Sequence, residues 1–235
     1  MNHIEFILLI AMAFLPPLVY AIWIRNTEKF NRERWIPIFF CFLWGASIAI
    51  IVSIILELIL GTIAISYFDA SRVDFLLVVF IAPFAEELTK PLALRSRIVK
   101  RELDELEDGL IFGAVAGLGF SATENLFYGF DAFISQGLLF FLVLIAIRSF
   151  GGCLLHAGTT AWTGYGVGKS VMKKTSLLSV IPFFILACFV HAFYNFLVTF
   201  EMNGVIIGFI AAMSFVALSI HIVRKTIKNL DIHSS

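Results

Sequence analysis

Residues 35–60 read WIPIFFCFLWGASIAIIVSIILELIL, a predominantly apolar stretch that contains one charged side chain, Glu57. About 20 apolar residues in a helix cross the hydrocarbon core of a bilayer, so this stretch is long enough to span a membrane. In lipid every backbone N–H and C=O needs a partner within the protein, which predicts a helix rather than an open strand. Glu57 lies near one end of the stretch, where a long side chain can reach the polar interface.

The whole chain has the composition of a protein that is largely surrounded by lipid. Of its 235 residues, 60% are hydrophobic and 14% are charged, and the charged fraction is about half that of an average soluble domain. A soluble fold of this size would expose very large apolar patches to water. The basic residues are scattered over short loops without forming a stripe, so nucleic acid is not an expected partner.

Further apolar stretches predict an all-α, polytopic protein of the cell membrane with about seven transmembrane helices. The expected spans are Ile4–Ile24, Trp35–Leu60, Asp74–Leu94, Gly109–Phe130, Gly137–Gly168, Leu177–Thr199 and Gly204–Val223. We expect a single integral-membrane domain over residues 1–235, with a motif-bearing core at about 74–199.

Lysine and arginine are unevenly distributed between the predicted loops, and this bias predicts the orientation. The loops after the first, third, fifth and seventh spans contain four, four, three and three basic residues, whereas the other loops contain only Arg72. Because basic loops stay in the cytoplasm, the N-terminus is predicted outside and the C-terminus cytoplasmic. The charged loop at 95–108 is expected to be a solvated turn or short helix.

Ionisable residues interrupt four consecutive spans, although a charge at the bilayer centre costs at least about 2.5–3.5 kcal/mol. In the third span Glu86 and Lys90 are four residues apart and share a helical face, and Glu87 is adjacent. Two neighbouring carboxylates without water cannot both ionise cheaply, so one of them can take up a proton near neutral pH, as a general base must. Pro83 and Pro91 flank the motif and free backbone carbonyls beside it.

The fourth span carries a stripe of small residues. Gly109, Gly113, Gly117 and Ser121 recur every four residues, a pattern that lets helix backbones approach closely. Glu124 lies two turns beyond Gly117 on the same face. We therefore expect helix packing to turn Glu124 toward the protein interior rather than toward lipid.

The fifth and sixth spans each present one polar stripe as well. Arg148 and His156 share a face of the fifth span, and His191 and Asn195 share a face of the sixth. At about 1.5 Å per residue His156 lies deeper than the other groups, unless its long helix tilts or begins outside the membrane. Arg148 also fits a structural or counter-ion role, and Asn125 and Asn195 also fit hydrogen bonding between helices.

Buried carboxylates and imidazoles on neighbouring helices are typical of more than one function. A catalytic or metal-binding site is one hypothesis. The alternative is a membrane transporter or channel that uses the buried Glu, His and Arg side chains as an ion or proton relay. A third hypothesis is a binding or scaffolding protein that has the fold of an enzyme but catalyses no reaction.

Three short motifs carry a resemblance to a known family. Glu86 to Lys90 reads EExxK, Phe120 to Glu124 reads FxxxE, and His191 to Asn195 reads HxxxN. This set, in this order on separate spans, resembles the PrsW family of intramembrane proteases, a branch of the group that contains CAAX prenyl endopeptidases and bacteriocin-processing proteins. The PrsW motif is usually HxxxD, so the Asn is more like the CAAX branch, which in turn has FxxxH in place of FxxxE.

The resemblance implies an endopeptidase that uses activated water to cleave a membrane-anchored protein near or within the lipid bilayer. The residues that it implies as catalytic are Glu86, Glu87, Glu124 and His191, supported by Lys90, Asn125, Arg148 and Asn195. The sequence specifies neither the substrate nor the oligomeric state.

The resemblance leaves two mechanisms open. In a metal-free version Glu86 activates water, and His191 and Asn195 stabilise the oxyanion. In a metalloprotease version Glu124, His156 and His191 hold zinc, and Glu86 or its neighbour is the base. The metal version is favoured because His156 supplies a third ligand.

Overall fold

The protein is described by a computed structural model that covers residues 3–199 and 205–234. These residues form helices joined by short connections, and no strand occurs among them, which confirms the predicted all-α fold. The α-helices, numbered in chain order, are α1 (His3–Arg25), α2 (Trp35–Trp44), α3 (Ile50–Ile65), α4 (Ala70–Leu76), α5 (Ala82–Thr89), α6 (Arg97–Lys100), α7 (Leu106–Gln136), α8 (Leu138–Met172), α9 (Ile181–Thr199) and α10 (Val205–Ser234).

Several of these helices are joined end to end by turns of different pitch. A π-helical turn at Gly45–Ala49 connects α2 to α3, and another at Leu77–Ile81 connects α4 to α5. A 3₁₀ helix at Lys90–Arg95 continues α5, and a shorter one at Leu177–Val180 leads into α9. Such turns inside a helix often occur at functional sites.

Six helical stretches are long and apolar enough to cross a membrane, so the chain is a multi-pass membrane protein. They are His3–Arg25, Trp35–Ile65, Leu106–Gln136, Leu138–Met172, Leu177–Thr199 and Ile207–Ile232. The predicted span Asp74–Leu94 is helical too, but its charged side chains keep it outside this group. The count of seven spans and the orientation therefore remain predictions, and Gly204, where the last predicted span begins, lies outside the described residues.

Helix α7 lies at the centre of the bundle. In an apolar window of 18 residues within this helix 78% of the residues are buried, against 17–39% in the corresponding windows of the other five stretches. A Cβ atom on Gly113 would collide with the carbonyl oxygen of Thr160 in α8, and one on Gly117 would collide with that of His156. Only glycine permits backbones this close, so the predicted small-residue stripe packs α7 against α8.

The charged loop before α7 is less solvated than its sequence suggests. Glu107 and Asp108 are buried, so the expectation of a solvated turn is wrong for these two residues. Glu105 is the N-cap residue of α7, and Asp108 in the first turn completes a capping box: its Oδ2 accepts hydrogen bonds from the backbone N–H groups of Asp104 at 2.8 Å and Glu105 at 2.7 Å. Satisfying free N–H groups at a helix N-terminus is the usual role of a capping acid.

Candidate functional site

A π-helical turn between α4 and α5 precedes the acidic pair Glu86 and Glu87. In a π-helical turn such as Leu77–Ile81 a backbone carbonyl accepts its hydrogen bond from the N–H five residues later. For the Val78 carbonyl that residue is Pro83, which has no N–H. Asn195 on α9 fills the gap by donating from Nδ2 to the Val78 oxygen at 2.9 Å. The amide of Asn195 thus holds α9 against this turn, which is the helix-to-helix role considered for it above.

Glu87 is a fully buried acceptor of hydrogen bonds from three helical segments. Its carboxylate oxygens lie 3.0 Å from Lys90 Nζ, 2.9 Å from the hydroxyls of both Thr159 and Thr160, and 3.0 Å from His191 Nδ1. A carboxylate with four donors is fixed in place. The geometry therefore gives Glu87 an orienting role, whereas the sequence grouped it with the catalytic acids.

Lys90 is fully buried, and its ammonium lies at the centre of the cluster. It donates to Glu86 Oε2 at 2.8 Å and to Glu87 at 3.0 Å, and it lies 2.8 Å from His156 Nδ1. The ammonium is also 4.3 Å from the ring centroid of Phe120, the first residue of the FxxxE motif. Its single positive charge offsets one of the two carboxylate charges of the acidic pair.

Glu124 is held from two sides. Its Oε2 lies 2.6 Å from His156 Nε2 and accepts a hydrogen bond from an Arg148 terminal nitrogen at 3.1 Å. Arg148 also donates from Nε to Asn125 Oδ1 at 2.9 Å, and its guanidinium covers the Tyr128 ring. Arg148 and Asn125 thus position Glu124, in agreement with the structural role considered for them.

The close packing of α7 and α8 brings His156 to the site. The glycine stripe presses α7 onto the carbonyl of His156 itself, so its imidazole reaches Glu86, Lys90 and Glu124. Helix α8 has 35 residues and is therefore about 52 Å long, well beyond a bilayer core. Counting residues from its start overestimated the depth of His156.

The two imidazoles are oriented in complementary ways by carboxylates. An ammonium can only donate, so Nδ1 of His156 is an acceptor and its Nε2 carries the proton that is donated to Glu124. In His191 the reverse holds, because Nδ1 donates to Glu87 and Nε2 is left free. The two rings stand 5.0 Å apart between centroids and nearly perpendicular, at 83°.

Glu86, His156 and His191 form a set that fits a metal ion. Glu86 Oε2 lies 3.6 Å from His156 Nδ1 and 3.9 Å from His191 Nε2, and one donor atom from each residue lies within 4.8 Å of the others. Three donors around a tetrahedral zinc ion stand roughly 3.4 Å apart. The other nitrogen of each imidazole is bound by a carboxylate, as is usual for metal-ligating histidines.

The predicted ligand set differs from this one in a single member. Among the described residues, Glu124, His156 and His191 do not come together at these distances. The reason is that Glu124 contacts the Nε2 edge of His156, whereas the edge that faces His191 is the Nδ1 edge beside Glu86. Glu86 replaces Glu124 in the group.

The set opens into a cavity of about 780 Å³. Glu86, Glu124, His156 and His191 line its polar side. Its apolar side includes four exposed side chains: Ile54, Leu58, Ile65 and Val198. The cavity is therefore bordered on one side by exposed apolar side chains.

Two features of the cavity were missed or underrated from sequence. Glu57 lines the cavity, although its place near the end of a span suggested only a side chain that reaches the interface. The signal was its isolation in residues 35–60, where it is the single charged residue. Tyr128 lines the cavity and stacks beneath Arg148, and it lies one turn after Glu124 on the same face.

Comparison with known proteins agrees with the motifs. Residues 33–221 match the PrsW family of intramembrane metalloproteases. The chain belongs to this family. A segment of 125 residues is 30% identical to the protease PrsW of Clostridioides difficile (strain 630) and covers 52% of this chain and 51% of that relative, so the match spans about half the length of each. No solved structure matches the chain.

Proposed function

We propose that this PrsW family member is an intramembrane endopeptidase that hydrolyses a peptide bond of a membrane-anchored protein by means of activated water. The observation that carries the proposal is the meeting of Glu86 Oε2 with the unprotonated ring nitrogens of His156 and His191 at a cavity bordered by exposed apolar side chains. A relay for ions would need polar groups along a path through the bundle, whereas these groups converge on one point.

The same three residues would hold the metal that the family description implies, and we propose zinc because imidazole and carboxylate donors suit it. At this place zinc would supply a water of pKa about 7 and a Lewis acid for the scissile carbonyl. Glu87 and Glu124 keep the two imidazoles in the tautomers that leave His191 Nε2 and His156 Nδ1 without a proton, as a metal ligand requires. Lys90 donates hydrogen bonds to two of the three atoms that would bind the metal, Glu86 Oε2 and His156 Nδ1. Its ammonium therefore competes with the metal for these two atoms.

We assign the general base to Glu124. It lines the cavity, whereas Glu87 is fully buried behind four hydrogen bonds and Glu86 belongs to the metal-binding set. Arg148 holds the Glu124 carboxylate in place through one oxygen, so its other oxygen is available to take up the proton of the attacking water. Asn195 is engaged with the Val78 carbonyl and serves the π-helical turn rather than an oxyanion.

The substrate class follows from the walls of the cavity. Side chains such as Ile54, Leu58 and Val198 border both the cavity and the lipid, so a transmembrane segment of another protein can approach the site laterally. Two further expectations from the sequence stay predictions. One is the single domain over 1–235 with its core at 74–199, and the other is the kinship with CAAX prenyl endopeptidases and bacteriocin-processing proteins.

Two isosteric substitutions test the assignment on purified protein with a membrane-tethered peptide substrate. Glu86→Gln is expected to lower both metal content and cleavage, because it changes a donor atom. Glu124→Gln keeps an acceptor for His156 and is expected to retain the metal while cleavage falls by at least about 100-fold. The measurements are metal content by mass spectrometry and cleavage by gel.

A matched control is Glu5→Gln, a change of an acid near the N-terminal end of α1 and outside the cavity, which should leave both readouts unchanged. Normal turnover by the Glu86→Gln protein would refute the hydrolase. Loss of metal from Glu124→Gln with metal retained in Glu86→Gln would restore the ligand set expected from sequence and exchange the roles of the two acids.

A further inference from the structure

A second group of acids lies at the end of the bundle that the positive-inside rule predicts to be cytoplasmic. Its members are buried and come from three elements: the connection after α1, the start of α7 and the end of α10. They are Glu28, Glu33, Glu107, Asp108 and Asp231. None of them belongs to the cavity described above.

The carboxylates of this acidic cluster converge. One oxygen each from Glu28, Glu107 and Asp231 lies within 4.8 Å of the others, and Glu28 forms a second such group with Glu105 and Asp108. Glu28 is therefore the shared member of two triads. All the donors are carboxylate oxygens, which hard divalent cations prefer.

Two of these acids have oxygens with nothing to bind. Glu28 is fully buried, its Oε2 accepts a hydrogen bond from the Glu33 backbone N–H, and its Oε1 has no partner. The Oε1 of Glu33 is also buried without a partner. Leaving a buried carboxylate oxygen unsatisfied is costly, so the arrangement points to a ligand.

Three arginines at this end of the bundle donate hydrogen bonds to groups other than these carboxylates. Arg25 donates from Nε to the backbone carbonyl of Glu33 at 2.7 Å, and Arg32 donates to the backbone carbonyl of Glu28 at 2.9 Å. Arg224 binds the Thr27 hydroxyl at 3.0 Å. Within residues 3–199 and 205–234, no lysine or arginine forms an ion pair with the carboxylates of Glu28 and Glu33.

Burial and mutual repulsion raise the pKa values of these acids. Removal from water raises the pKa of Glu28 to about 8, and burial beside Asp108 raises the pKa of Glu33 further.

We propose that the acidic cluster is a second metal site, which binds a hard divalent cation, Ca²⁺ or Mg²⁺, with Glu28 as its central ligand and Glu107 and Asp231 beside it. Such a cation joins the connection after α1 to α7 and α10. Asp231 already accepts hydrogen bonds from the backbone N–H groups of Lys29 at 2.9 Å and Phe30 at 3.2 Å. Among the described residues its ligands are all carboxylates, which distinguishes it from the set of Glu86 and two histidines.

The test is isothermal titration calorimetry, in which Ca²⁺ and, separately, Mg²⁺ are titrated into metal-free, full-length protein in detergent. We expect saturable binding of at least one of them with a dissociation constant below about 1 mM, the weak end for protein sites. Glu28→Gln keeps the size of the side chain and is expected to weaken binding by at least about tenfold. Glu102→Gln, a change of an acid near Arg34 at the same end, should leave binding unchanged.

Further variants separate this site from the cavity. His191→Ala is expected to bind Ca²⁺ or Mg²⁺ like the unmodified protein, because His191 lies in the cavity. Absence of saturable binding of both ions to the unmodified protein would overturn the proposal, as would undiminished binding to Glu28→Gln. Loss of binding in His191→Ala would assign the ion to the cavity instead and would overturn it equally.

Discussion

At the scale of single residues, Lys90 has the most demanding position. Its ammonium has no exposure and lies within 3.0 Å of both acids of the EExxK motif and of His156. Removing one partner from a buried ion pair leaves an uncompensated charge, which costs about 3–5 kcal/mol. The same ammonium occupies two atoms that we assign to the metal, so it stabilises the metal-free site and weakens metal binding.

Lys90→Met is therefore expected to destabilise the metal-free protein and to increase the stabilisation that Zn²⁺ gives. Without metal, the free energy of unfolding is expected to fall by about 3–5 kcal/mol because Glu87 remains buried without its cation. Addition of Zn²⁺ is expected to stabilise the Lys90→Met protein more than it stabilises the unmodified protein, because no ammonium competes for His156 Nδ1. Thermal unfolding with and without Zn²⁺ measures both effects.

Lys169→Met is a suitable control, since Lys169 lies on α8 near Tyr165 and Phe183 and outside the cluster. Its response to Zn²⁺ should equal that of the unmodified protein. A Zn²⁺ response in Lys90→Met that is no larger than normal would show that the ammonium and the metal do not compete.

At the scale of helices, the distance between α7 and α8 sets the geometry of the site. The Glu124–His156 contact of 2.6 Å crosses this interface, and the glycines of α7 determine how close the two backbones come. A Cβ atom on Gly113 would meet only backbone atoms of α8, at Thr160, Ala161 and Gly164. Backbone atoms cannot rotate away as a side chain can, so the helices themselves must separate.

Gly113→Ala is thus expected to destabilise the protein by about 1–3 kcal/mol. It is also expected to lower cleavage by up to about 100-fold, since a displacement of 1 Å in a catalytic site has effects of that order. Unfolding temperature and the cleavage rate are the two measurements. Gly152→Ala on α8 is the matched control for stability, because its Cβ would meet neighbours at 3.7–3.9 Å, an ordinary contact distance; equal stability of the two variants would contradict the argument.

At the scale of the whole molecule, the proposed metal joins three helices that are distant in sequence. Glu86 lies on α5, His156 on α8 and His191 on α9. A ligand that binds only the folded state stabilises it by about 2.7 kcal/mol at a concentration of 100 times its dissociation constant. The bundle should therefore be more stable with its metal than without it.

Removal of the metal with 1,10-phenanthroline, which prefers transition metals, is expected to lower the unfolding temperature, and Zn²⁺ should restore it. His191→Ala is expected to abolish this response, whereas His221→Ala, a change of an exposed residue on α10, should keep it. An unchanged unfolding temperature in the unmodified protein after demonstrated removal of metal would argue against a metal that bridges the helices.

The sequence predicted which residues meet better than it predicted what each one does. Residue spacing placed Glu86, Glu124 and His191 on inward faces, and the structure brings them together. Spacing does not reveal which oxygen or ring nitrogen faces which partner, so the separate roles of Glu86 and Glu124 were not predictable. Pro83 was expected to free a backbone carbonyl, but the π-helical form of the turn at Leu77–Ile81 and the bond from Asn195 to the Val78 carbonyl were not predicted, because both depend on tertiary contacts.

The charged loop before α7 shows the complementary error. Sequence patterns treat a run of acids as solvated because most such runs are. Burial of Glu107 and Asp108 depends on the distant chain segments after α1 and at the end of α10, which local patterns do not contain.

The buried lysine has a consequence for the biosynthesis of the protein. A chain that inserts without its metal would bring three acids together in the bundle. Lys90 and Arg148 belong to the same chain and offset two of the three carboxylate charges from the start. We therefore expect that the helices can assemble before the proposed metal is loaded and give a folded but inactive precursor.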